Sequence, residues 1–303
     1  MDELTDSSAL VQEPEGLRKQ LATDGYLFFR NLLPADRMRA AGAAVLTRLR
    51  DGGWTDAAGR PAGTPRALNS FDALSDPAFR AALLSAEFNQ IPYLPPLREV
   101  VRRILGPRAF SYPAKVLRAV YPELPGQRPR GRYIHYDYAV GGGQDMLTSW
   151  LPLMDIPVSL GGLAVQPGGH HWPPLAPRPL AGTERGWATA HYRPGDAIIF
   201  HCLTPHAALS NTSSVLRISG DFRWQLPDHP APTEMILGPA RISTGQEMFG
   251  RMFAREPWWE PIPAGLAMGS REELAAAPPG ASRFFAVHPG WQSWQPPPPA
   301  AIH

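Results

Sequence analysis

Between residues 110 and 226 the chain alternates short strand-type runs with turn clusters, and this alternation limits the fold more than any other feature. The runs lie at 115–121, 132–138, 146–153, 161–166, 187–192, 196–201, 205–210 and 215–225. Turn clusters between them include GGGQD at 141–145, RPGD at 193–196 and SNTSS at 210–214. Successive parallel strands need crossovers of a dozen residues or more, usually helical. No helical pattern separates these runs, so they point to an antiparallel sandwich or barrel.

Helical patterns flank this block. Residues 14–23 read as a helix that stops at Asp24-Gly25, and the apolar run YLFF at 26–29 suits a buried strand. Pro34 suits the first turn of a helix reaching about Asp51, with Gly52-Gly53 as its stop. Asp76-Pro77 is a cap followed by a first-turn proline, opening a helix through Leu84. PPLREVVRRIL at 95–105 carries apolar residues at helical spacing. Beyond 226 the chain is proline-rich, with helices expected near 244–255 and 270–277, the second opened by the capping box Ser270-x-x-Glu273. The expectation is a single domain over 1–303: a helical N-terminal part (1–109), a β core (110–226) and a Pro-rich C-terminal section (227–303).

Composition narrows the class. The 303 residues are 44% hydrophobic, enough for a sizeable core, and 36 prolines with 28 glycines imply many turns and long loops. A net charge of +2 gives no strong pull on nucleic acid or on an anionic membrane. Cys202 is the only cysteine, so an intrachain disulfide is impossible. The opening MDELTDSSALVQ is acidic and lacks a signal peptide's apolar segment, and no run approaches the ~18 apolar residues of a membrane span. A cytoplasmic protein, monomer or homodimer, is expected.

The chemistry centres on RYIHYDY at 132–138. Side chains two apart on a strand point the same way, so His135 and Asp137 are expected to project together. An imidazole and a carboxylate so placed are two-thirds of a facial metal triad, and His206 is the natural third ligand. Two histidines and one carboxylate leave three coordination positions open, the arrangement of iron(II) oxygenases. A hairpin closed at NTSS (211–214) would set residue 206 opposite 219 and 208 opposite 217. His206, Ala208, Arg217 and Ser219 would then share one face. An arginine facing a barrel interior needs an anionic partner, and its planar fork suits the far carboxylate of a metal-chelated 2-oxo diacid. The competing account is an internal ion pair of Arg217 with an acid such as Asp221.

HYD at 135–137, GGLAVQPGGH at 161–170, PGDAIIF at 194–200, His206, Asn211 and RISGDFR at 217–223 together resemble the phytanoyl-CoA dioxygenase-like oxygenases. DGYLFF at 24–29 is similar to the opening strand of that family, so the resemblance runs from about residue 17 to 226. It implies a mainly β catalytic domain with flanking helices, a double-stranded β-helix (jelly roll, cupin-like), using Fe(II), O2 and 2-oxoglutarate. It also implies iron ligation by His135, Asp137 and His206, with Arg217 on the distal 2-oxoglutarate carboxylate, Ser219 assisting and Trp150 beside the co-substrate. The chain departs from the family's usual Asn-Gly at Gly161-Gly162 and from Pro-Gly-Ser-His at 167–170. Ala208 stands where a hydroxyl often assists the co-substrate.

Oxidation of a small-molecule substrate, most simply hydroxylation of an unactivated C–H bond as in natural-product biosynthesis, is the reaction this implies. Halogenation is disfavoured, because a halide needs the position that Asp137 occupies. The competing class is a cupin-like metal-dependent isomerase or lyase that does not use 2-oxoglutarate. Loops 121–132, 139–145 and 168–186 are expected around the mouth, with Arg128, Arg130 and His170 as candidate substrate contacts. His201 reads as structural. Trp258, Trp259, Trp291 and Trp294 fit core packing or a dimer interface.

Overall fold

The computed structural model describes residues 1–62, 75–123, 133–141, 143–175, 180, 185–237 and 246–293. Its helices are α1 (Pro14–Asp24), α2 (Ala35–Asp51), α3 (Pro77–Leu83), α4 (Ala86–Asn89), α5 (Pro95–Leu105), α6 (Asp137–Gly141), α7 (Thr233–Leu237), α8 (Gln246–Phe253) and α9 (Arg271–Ala276). Its strands are β1 (Asp2–Glu3), β2 (Tyr26–Phe29), β3 (Phe110–Ser111), β4 (Val116–Val120), β5 (Leu147–Pro152) and β6 (Leu163–Val165). They continue with β7 (Ala188–Thr189), β8 (Ala197–His201), β9 (His206–Ala208), β10 (Arg217–Gln225), β11 (Ala231–Pro232) and β12 (Met268–Gly269).

Alternation along the strands sorts side chains into layers. The larger sheet runs β2-β8-β5-β10-β3, with β4 also paired to β10. Leu147, Leu151, Ile199, Ile218 and Phe222 leave it on one side and join Leu17, Val45, Leu97 and Val101 of the helical layer. Tyr26, Phe28, Trp150, Ile198 and Phe200 leave it on the other, against Leu163, Val165 and Ala188 of the second sheet, β1-β7-β6-β9. Each such buried side chain contributes about 1.5–3 kcal/mol. The result is the expected jelly roll with helices outside its larger sheet. No helix among the described residues is long and apolar enough to cross a membrane.

Local signals set the helix ends. Asp76 accepts hydrogen bonds from the Ala78 and Phe79 amides at 2.9 and 3.1 Å, and Ser270 with Glu273 closes the capping box of α9. Helix α2 passes the end of β5 so closely that a Cβ on Gly42 would stand 1.9 Å from the Leu153 carbonyl oxygen. Gly42→Ala must therefore push helix from sheet, at an expected cost of about 1–3 kcal/mol. Thermal unfolding measures this; an unchanged Tm would show that the two layers separate freely.

One expected pairing and one expected strand length are corrected. The 206/219 hairpin does not form: β9 pairs with β6, Val165 opposite His206, while β10 lies in the other sheet. The connection crosses between sheets and is held by Asn211, whose Nδ2 donates to the carbonyls of Val120 (3.0 Å) and Val215 (2.8 Å). Strand 132–138 also stops early. His135 bridges His206, and Asp137 already opens α6.

The C-terminal section is fastened to the jelly roll near this turn. Asp145 accepts from His201 Nε2 (3.1 Å), Ser282 Oγ (2.5 Å) and the Arg283 amide (2.9 Å). His201 Nδ1 accepts the Leu203 amide at 3.2 Å, so His201 is structural, as expected. Trp291 is fully buried, edge-on to Tyr136 at 4.8 Å, while Trp258 and Trp259 pack on Tyr93. Trp294 lies outside the described residues.

Candidate active site

His135 and His206 meet through their backbones: each amide donates to the other's carbonyl, at 3.0 and 3.1 Å. That pairing brings the imidazole centroids within 4.1 Å, the rings tilted by 56°. Each ring has one nitrogen fixed from behind, His135 Nδ1 on the Tyr133 carbonyl and His206 Nδ1 on the Thr204 carbonyl, both at 3.0 Å. Such outer partners select the tautomer that leaves Nε2 as the donor toward a metal. Burial keeps both rings neutral, pushing the His135 pKa down to about 3 and lowering that of His206.

Asp137 reaches the same point from the first turn of α6. The ligand atoms of His135, Asp137 and His206 lie within 4.8 Å of one another, and His206 Nε2 is 3.7 Å from Asp137 Oδ1. Two side chains of the larger sheet hold the carboxylate. The Thr148 hydroxyl donates to Oδ2, and Arg223 Nη2 donates to Oδ1 at 3.2 Å. Burial opposes charge on Asp137, yet the Arg223 guanidinium, the two imidazoles and the Thr148 hydroxyl hold its carboxyl well below the usual carboxylate range. Two neutral imidazoles and one ionised carboxylate form the donor set that suits a divalent non-haem iron. Thr148→Val removes one hydrogen bond from Asp137 with little change of shape. Metal affinity is expected to fall about 10–100-fold, read by titration calorimetry; unchanged affinity would mean that Arg223 alone orients the carboxylate.

Strand β10 supplies the opposite wall. Arg217, Ser219, Asp221 and Arg223 alternate with Ile218, Gly220 and Phe222, and the polar set faces the interior. Arg217 is 2% exposed and donates from Nη1 to the carbonyl of Gly161 across the sandwich. Gly161 has φ +79°, and a Cβ there would stand 2.5 Å from the Leu209 carbonyl oxygen. Arg217 Nε and Ser219 Oγ are buried and have no hydrogen-bond partner among the described residues. Burial, reinforced by the Arg118 cation, brings the Arg217 pKa to about 10, so the guanidinium stays charged at neutral pH. The ion pair weighed against a co-substrate role is absent among the described residues: Asp221 pairs with Arg118, at 2.8 Å. A buried cation with an unpaired Nε beside an unpaired hydroxyl fits a carboxylate ligand.

Trp150 is buried on the same inner face, its ring 4.7 Å from that of Tyr192. His170 is fully buried, with Nε2 3.0 Å from the Ala22 carbonyl oxygen and its ring against Phe285. Arg128 and Arg130 lie outside the described residues. Of loop 168–186, Leu175 and Leu180 pack with Ile134, Ala164 and Ala207 on the outer side of the second sheet, rather than over the mouth. Thr148, Arg223 and Arg118 were not anticipated, and Asp221 was weighed only as a partner of Arg217. For Arg223 and Asp221 the signal is the run RISGDFR, polar at every second residue of a strand with no exposed face.

The comparisons agree with this geometry. The phytanoyl-CoA dioxygenase family model matches residues 21–219. The 1-deoxypentalenic acid 11-beta-hydroxylase of Streptomyces exfoliatus is 25% identical over 250 residues, 74% of this chain and 86% of the relative. The epimerase SnoN, solved with Fe3+, alpha ketoglutarate and nogalamycin RO, has a TM-score of 0.53 at 19% identity, covering 86% of this chain and 96% of SnoN. EctD from S. alaskensis, solved with 2-oxoglutarate and 5-hydroxyectoine, gives 0.50 at 17% identity, over 89% of this chain and 92% of EctD. With its triad and inward arginine on a jelly roll, and two-thirds of its length matched, this chain belongs to the phytanoyl-CoA dioxygenase family.

Proposed function

We propose that the protein is an Fe(II)- and 2-oxoglutarate-dependent oxygenase that oxidises a small molecule of the natural-product type, most simply by hydroxylating a C–H bond. One observation carries this reading. A His135/Asp137/His206 donor set lies in the sandwich toward whose interior Arg217 and Ser219 point, and the Arg217 Nε and the Ser219 hydroxyl are buried with no partner among the described residues. The Streptomyces relatives, each named 1-deoxypentalenic acid 11-beta-hydroxylase, support the reaction class. Iron(II) with O2 and 2-oxoglutarate supplies an oxidant strong enough for an unactivated C–H bond, releasing succinate and CO2.

The chain's own residues supply the rest. His135 and His206, fixed through Nδ1, and Asp137, fixed by Thr148 and Arg223, would hold the metal. Arg217 would pair with the distal carboxylate of 2-oxoglutarate, Ser219 would donate to it, and Trp150 would bound its apolar middle. The C-terminal section, packed on Tyr136 and Tyr138 at either side of Asp137, keeps water from that flank.

The test is succinate formation by the purified chain given Fe(II), ascorbate, O2 and 2-oxoglutarate. Succinate release that requires all of them supports the reading. Tight metal binding with neither succinate release nor 2-oxoglutarate binding would overturn it in favour of a metal-dependent isomerase or lyase.

A further inference from the structure

One cation on the inner face is not used by the metal or the co-substrate. Arg118 sits on β4 directly opposite Ser219 of β10. Directly paired residues share a face, so Arg118 points to the side that carries Arg217, Ser219 and Trp150. Its Nε and Nη2 lie 2.9 and 2.8 Å from Asp221 Oδ2. Nη1 makes no hydrogen bond among the described residues. The Arg118 side chain is 37% exposed, while its partner Asp221 is 8% exposed. The guanidinium is therefore anchored at one edge and open to a ligand at the other. It is also near enough to depress the pKa values of His135, His206 and Arg217.

Charge counting agrees. Arg118, Arg217 and Arg223 face Asp137 and Asp221, so the described site carries three positive and two negative charges. A divalent metal and a doubly charged 2-oxoglutarate cancel each other, and one positive charge remains. A partly desolvated arginine is poorly satisfied by water alone and is strongly rewarded by a carboxylate or phosphate.

We propose that Arg118, held by Asp221, is the recognition point for an anionic group on the substrate, so that this enzyme acts on an acid or phosphorylated compound rather than a neutral one. The proposal rests on the oxygenase reading above, because it assigns Arg217 to the co-substrate and leaves Arg118 for the substrate. Asp221 is then a positioning residue: it turns the fork so that Nη1 faces the space beside the metal.

The test uses the full chain loaded with Mn(II) and saturating 2-oxoglutarate, which occupies the Arg217 site without turnover. The probes are adamantane-1-carboxylate and adamantane-1-carboxamide, one apolar body with and without charge. Calorimetry should show the acid binding about tenfold or more tighter than the amide. Arg118→Gln should remove that preference, Arg118→Lys should keep part of it, and 2-oxoglutarate affinity should stay within about threefold in both. If Arg118→Gln leaves Asp221 uncompensated and fails to fold, the Arg118→Gln/Asp221→Asn pair neutralises both groups and makes the same comparison. Three results would overturn the proposal: an acid bound no better than the amide, a preference that survives the loss of Arg118, or 2-oxoglutarate affinity falling together with it. A wild-type chain that takes up neither Mn(II) nor 2-oxoglutarate sinks the oxygenase reading instead. The Arg118 comparison is then made on the unloaded chain and is decided by the same results.

Discussion

His206→Ala is expected to abolish turnover and to weaken metal binding by more than ~100-fold. The reason is positional. Outer partners of a metal ligand are already worth about 10–100-fold in affinity, and His206 is itself one of three donors. The remaining pair, His135 and Asp137, leaves a divalent ion bidentate. The fold should survive, because the backbone of residue 206 keeps its bonds to His135 and its place opposite Val165. What is lost from the core are the ring contacts with Phe200, at 4.5 Å, and with His135, at 4.1 Å. Metal content after gel filtration, together with a thermal melt of the metal-free protein, separates the two effects. A variant that still retains one metal ion per chain would remove His206 from the ligand set, and the function with it.

Arg217→Ala should raise the 2-oxoglutarate requirement steeply while leaving the metal in place. Removing one partner of a buried charged pair costs about 2–5 kcal/mol, and each 1.4 kcal/mol is tenfold in affinity. The expected loss is therefore roughly 30-fold to several thousand-fold. Without co-substrate the substitution should be milder, since Arg217 is buried with Nε unpaired and its removal relieves part of that desolvation. Arg217→Lys should recover some affinity, because a point charge attracts the carboxylate but cannot pair with it in two places. Calorimetric titration of the Mn(II)-loaded variants with 2-oxoglutarate reads this directly. Equal affinity in wild type and Arg217→Ala would leave the arginine with a structural role only.

The two substitutions probe residues that were legible for different reasons. His135, Asp137 and His206 are unusual residue types in apolar strand runs, and their chemistry is recognisable before any contact is known. Arg217 was reached through an expected hairpin with His206 that does not exist. The inward face was right nonetheless, because in a sandwich the inner faces of both sheets meet in one core. Period two tells which side of a strand is apolar; it does not tell which strand lies beside it. The Asp137 carboxylate was placed with His135 by the same periodicity, yet it arrives from a helical turn and is aimed by Thr148 and Arg223. Those partners are 11 and 86 residues away, beyond any local pattern. The two-residue strands β1 and β3 were missed because so short a segment has no period to read.

By itself, the sequence determined the secondary-structure rhythm, the helix ends, the antiparallel β class and the three side chains able to bind a metal. These depend on backbone preferences and residue chemistry within a few positions of each other. Tertiary structure alone decided that β9 and β10 lie in different sheets, that Asp145 and His201 fasten the C-terminal section, and that Arg223 goes to Asp137 and Arg118 to Asp221. Each of these is a choice among chemically equivalent partners. RISGDFR offers two arginines and one aspartate to the same face, and any pairing among them satisfies charge. Only the packed distances between β4, β10 and α6 select one.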